Sequence, residues 1–136
     1  VEEYIMYSQI DGRVLGDIAR NHVVPTAVKY QNVLIKNVKG LKEIFEEKYH
    51  GVSKEQRNLI EEISSHIEGI NTNVTKMTNE RKKANAITDI EKRAHAYCFN
   101  VKPLFDDIRY HCDKLELLVD DEIWPLAKYR ELLFTR

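Results

Sequence analysis

Cysteine, proline, glycine and tryptophan are all scarce in this chain, and no charge sign dominates it. The two cysteines, Cys98 and Cys112, cannot make a disulfide framework. They share one stretch of helical pattern, roughly 21 Å apart at helical rise, which is too far to bridge. A reducing, cytoplasmic setting is the expectation. Three Pro and five Gly leave little for a strand-and-turn fold and favour long helices. With 21 basic and 22 acidic residues the net charge is -1, so neither nucleic acid nor an anionic membrane is an expected partner. There is no signal peptide and no apolar run of spanning length, so no membrane span is expected. Phosphate loops, nucleophile elbows and Gly-rich dinucleotide motifs are missing as well. At 136 residues the chain reads as one domain, 1–136. It opens on Val1 rather than Met, which suggests a piece cut from a longer protein, although processing would look the same.

What the chain has is apolar residues at 3–4 spacing. One stripe runs Ile60, Ile63, Ile67, Ile70, Val74, Met77. A second runs Ala27, Gln31, Leu34, Val38, Leu41, Phe45. A third runs Ile90, Ala94, Tyr97, Val101, Leu104, Ile108, then Leu115 and Leu118 beyond His111. Such spacing lays one apolar face along a helix. The large apolar residues are thereby committed to packing, and few remain to line an enzyme pocket.

The spacing predicts an all-α antiparallel bundle of about four long helices. The first opens near Glu2 and Glu3, carries Ile10, Val14, Leu15 and Ile18, and ends near Tyr49, with Gly51 suited to the C′ position. Its apolar phase is lost at Pro25, so it is expected to bend or split there. The second opens at Ser53, where Gln56 would complete a capping box, and runs to Met77. Gly69 inside it suits either a close helix crossing or a tolerated Gly costing about 1 kcal/mol. The third opens at Thr88 with Glu91 as a second capping box, and ends near Val119. Its phase survives Pro103, which predicts a kinked but continuous helix. Asp120, Asp121 and Glu122 suit the start of a short last helix, with Pro125 in its first turn. Trp124 there suits the end of the core better than an interface.

Candidate chemistry is thin. Glu47 and His50 make one Glu-x-x-His motif at a helix end, where a di-iron bundle needs two plus further carboxylates. His95 and Cys98 are three apart, without a second ligand pair, and Cys98 reads better as a small buried hydrophobe. Asp107 and His111 suit a surface ion pair. Cys112 points about 100° away from His111 on a helix, which spoils a Cys–His dyad. Arg81, Lys82 and Lys83 read as a solvated helix end, for want of a wider patch. Gly12 and Gly16, four apart, are a weak sign of close helix packing. No catalytic, cofactor-binding or metal residue is assigned.

Two segments are more specific. One is 13–27, RVLGDIARNHVVPTA, followed by Val28-Lys-Tyr-Gln31. The other is 108–134, IRYHCDKLELLVDDEIWPLAKYRELLF. Both resemble the C-terminal region of type III glutamine synthetase, the large bacterial form. Gly40-Leu-Lys-Glu-Ile-Phe45 and Arg81-Lys-Lys-Ala-Asn-Ala86 are similar too, and Tyr129-Arg-Glu-Leu-Leu-Phe134 resembles the natural end of that protein. The resemblance implies a parent ligase that joins ammonia to glutamate with ATP and divalent metal (Mg or Mn), through a γ-glutamyl phosphate. It implies that the catalytic domains lie upstream, so no catalytic residue carries over to this chain. It also implies stacked hexameric rings, with this region packing on the catalytic domain or neighbouring subunits as a structural, non-catalytic part. Two other readings stand beside it: a freestanding helical scaffold that binds a partner helix, and a metal-dependent oxidase built in a bundle.

Overall fold

The computed structural model of the chain describes residues 12–119. Among them every long element is helical. Helix α1 covers 12–45, α2 is Lys54–Asn85, and α3 covers 90–118. The described residues therefore hold three long helices, not four. The expected last helix, with Trp124 and Pro125, lies outside them, as does the expected opening at Glu2, Glu3 and Ile10.

The three helices run up, down and up. Arg20 of α1 bonds Asn71 and Thr75 of α2, whereas Gln31 bonds Ile60 and Ser64. Asn85 near the end of α2 accepts from the Tyr97 hydroxyl near the start of α3. Helix α2 lies between the other two and packs on both. Its inner face carries Ile63, Ile70, Val74 and Met77, as its stripe predicts. Those side chains meet Leu15, Ala19, Val23 and Ala27 from α1, and Tyr97, Val101, Ile108 and Leu115 from α3, in one apolar core.

Both interior prolines follow the same backbone device. A π-helical turn spans Ala19–Val23, and the Val24 N–H bonds the Ala19 carbonyl, just before Pro25. A second spans Tyr97–Val101, and the Lys102 N–H bonds the Tyr97 carbonyl, just before Pro103. Proline has no N–H, and its ring crowds the carbonyl one turn back. A wider turn relieves that crowding while the chain stays helical. The added residue also resets the apolar phase. Leu15, Ala19, Val23 and Ala27 are all buried at steps of four. Val14, expected on that face, is 41% exposed.

Several sequence-predicted ends shift. Helix α1 stops at Phe45, because Glu46 turns to φ 52, and Gly51 lies in a one-turn helix, Tyr49–Val52, rather than at a C′ position. Ser53 does not cap α2. That one-turn helix runs straight into it, so the Ser53 hydroxyl donates back to the Tyr49 carbonyl and accepts from Arg57 Nε. Helix α2 continues past Met77 to Asn85. Helix α3 is capped by Asp89, one residue after Thr88, whose carboxylate accepts from the Glu91 N–H at 3.1 Å.

Candidate functional site

Helices α2 and α3 bring two histidines face to face. Nδ1 of His66 lies 2.9 Å from Nδ1 of His111. One ring must donate and the other accept. His66 is only 8% exposed and takes an inner position between Ile63 and Ile70, where the stripe predicted Ile67. Ile67 is half-buried instead. On α2, Glu62 places its carboxylate 3.9 Å from His66 Nε2. The Tyr110 ring stands edge-on to both imidazoles, with centroids 5.9 and 5.1 Å away.

Gly69 makes the pairing possible. A Cβ on Gly69 would lie 2.3 Å from Nε2 of His111 and 2.4 Å from its Cε1. The imidazole occupies the space that any other residue would fill. Of the two readings of Gly69, close approach is therefore the right one.

Burial holds both imidazoles below the ordinary value of 6.5. Glu62 opposes this at His66, and Lys114 adds to it. His66 adds to it at His111, and Asp107 opposes it. Both rings are thus neutral at pH 7. The pair can accept one proton between them and resists a second, because two imidazolium ions at this distance repel. Cys112 follows His111 in sequence but is fully buried, its thiol pushed up to about 12 by burial and the nearby Asp113 and Glu116 charges. Two imidazoles supply half of a tetrahedral zinc set. No group of three or more His, Cys, Asp or Glu that could hold a metal ion occurs among the described residues.

The other sequence candidates are not brought together. Glu47 and His50 are exposed, and the His50 ring stacks on Tyr49 at 4.1 Å. His95 stacks on Phe99 at 4.2 Å. Cys98 is exposed, against expectation: Tyr97 and Val101 hold the inward positions, as the stripe predicts, and Cys98 points away from them. Asp107 acts on His111 through its charge, while the ring bonds His66 across the helix interface rather than sitting in a surface pair. Gly12 and Gly16 face Phe105 and Met77 at close range, in line with the packing reading. Lys83 pairs with Glu80 at 3.3 Å, as a solvated helix end would. Sequence reasoning missed His66. Its signal was the spacing, three after Ile63 and four before Ile70.

Residues 1–42 match the family described as glutamine synthetase C-terminal domain. A curated glutamine synthetase from Bacteroides fragilis (strain YCH46) is 50% identical over 137 residues, covering 100% of this chain. The chain belongs with the C-terminal regions of glutamine synthetase. It spans 19% of the length of that relative. In this glutamine synthetase region, the family match includes the first π turn and Pro25. The His66–His111 pair lies beyond it, on the part aligned with the Bacteroides relative. No described helix is long and apolar enough to cross a membrane.

Proposed function

We propose that this chain is the non-catalytic C-terminal helical domain of a type III glutamine synthetase, and that it supports subunit packing and oligomer assembly. The full-length enzyme ligates ammonia to glutamate with ATP and divalent Mg or Mn, all bound outside this chain. The observation that carries the reading is the identity of 50% across the whole chain to a protein of which it spans 19%. The side-chain inventory agrees: apolar residues fill a core, and the His66–His111 pair bridges α2 and α3. Large apolar side chains left outside that core, such as Ile44, Phe99 and Leu117, suit contacts with the catalytic domain and neighbouring subunits. The free thiols Cys98 and Cys112 suit a reducing cytoplasm. The test is a glutamine-formation assay. The purified chain is expected to form none above a no-enzyme control, whereas the full-length protein forms it. Glutamine made by the isolated chain would overturn the reading.

A further inference from the structure

The short basic run Arg81-Lys82-Lys83 lacked a wider patch in the sequence. The fold supplies one. Helix α1 brings Arg13 and Arg20 to the groove where Arg81 emerges from α2, a space of about 290 Å³. Gly12 and Gly16 open its floor, and a Cβ on Gly12 would lie 3.4 Å from Arg81 Cδ.

None of these guanidiniums has a carboxylate partner among the described residues. Arg20 donates at 2.9 Å to the Asn71 carbonyl and at 2.9 Å to the Thr75 hydroxyl, both neutral. Arg81 Nε is buried and makes no hydrogen bond. A buried N–H left unbonded is costly, and in a cationic groove an anion is its natural acceptor. Asp17 is the one carboxylate among the described lining residues. It is engaged by Asn21 Nδ2 at 2.7 Å and lies 3.7 Å from His22 Nε2.

We propose that this groove binds an oxyanion of the phosphate class. Guanidinium forks match phosphoryl oxygens in pairs, which favours phosphate over a spherical anion. Arg13 and Arg20 stand roughly 10 Å apart along α1, so a ligand with two phosphoryl groups fits the length better than one. The volume is at the low end for ligand sites, which suits a small anion rather than a whole nucleotide. The Thr78 hydroxyl, also on the lining, is spent on the Val74 carbonyl at 2.9 Å, so the guanidiniums are left as the donors.

The test is a titration of pyrophosphate, inorganic phosphate and chloride into the ¹⁵N-labelled chain at constant ionic strength, following the arginine Nε–Hε resonances. Saturable shifts are expected at Arg13, Arg20 and Arg81, strongest with pyrophosphate and absent with chloride. Arg57, whose Nε bonds Ser53, serves as the unmoved control. Arg81→Gln is expected to weaken binding about tenfold. Arg13→Gln, at an exposed position, should do so in a chain whose folding is undisturbed, and Asp17→Asn should tighten it. Non-saturating shifts shared with chloride would overturn the proposal. So would undiminished binding in folded Arg13→Gln and Arg81→Gln chains. Neither readout depends on glutamine formation.

Discussion

The His111 imidazole occupies the space that a Cβ on Gly69 would need, 2.3 Å from its Nε2. Gly69→Ala should gain about 1 kcal/mol of helix propensity and lose more by displacing the ring from His66. The net expected effect is destabilisation of about 1–2 kcal/mol. In a His111→Ala background the clash is gone, so the same substitution should stabilise by about 1 kcal/mol. Urea unfolding of the four chains in the cycle reads this directly. A Gly69→Ala effect with the same sign in both backgrounds would contradict the coupling.

The imidazole pair also sets a pH dependence. Burial lowers both folded values below the unfolded 6.5. A lowered histidine value means that the unfolded chain takes up protons first as pH falls. Stability from the pair is therefore present above 6.5 and is lost as pH falls from there through the lowered folded values. Glu62 and Asp107 oppose the loss, and Lys114 adds to it. Urea midpoints measured across this range should fall with acid, and less steeply in a His66→Gln, His111→Gln chain. Equal slopes in the two chains would count against the pair.

Glu46 holds φ at 52, a region that favours glycine. Its side chain is exposed. Glu46→Gly should relieve backbone strain and stabilise by about 1 kcal/mol. Thermal unfolding should show a rise of a few degrees in Tm, and a fall would show that the conformation carries no strain.

The thiols should separate by reactivity. Cys98 is exposed, whereas the Cys112 thiol is buried and pushed up to about 12. Ellman's reagent near neutral pH should modify Cys98 promptly and reach Cys112 only as the chain unfolds. Prompt modification of both would place Cys112 outside the core.

Much of this architecture was legible in the chain itself. The stripe from Ile63 to Met77 marks the inner face of α2, since burial of that face demands helical spacing. His66 is masked by Ile67, its apolar neighbour, which fits the same spacing between Ile63 and Ile70. The Ser53 capping box failed because a preceding helical turn offers the Ser53 hydroxyl a carbonyl, a local competition that the motif does not encode. Val14 and Cys98 fall outside the inner face because their neighbours Leu15 and Tyr97 take the inward positions, and a residue one step along a helix points about 100° away. The arginine groove was illegible because Arg13 and Arg81 meet only through the α1–α2 pairing.

The proposed role in assembly meets its most direct test in the full-length protein. Light scattering with and without this region, at equal protein concentration, reads the particle mass. The expected result is that deletion shifts the mass from an oligomer to smaller species. An oligomer that keeps its subunit number after the deletion would contradict the role.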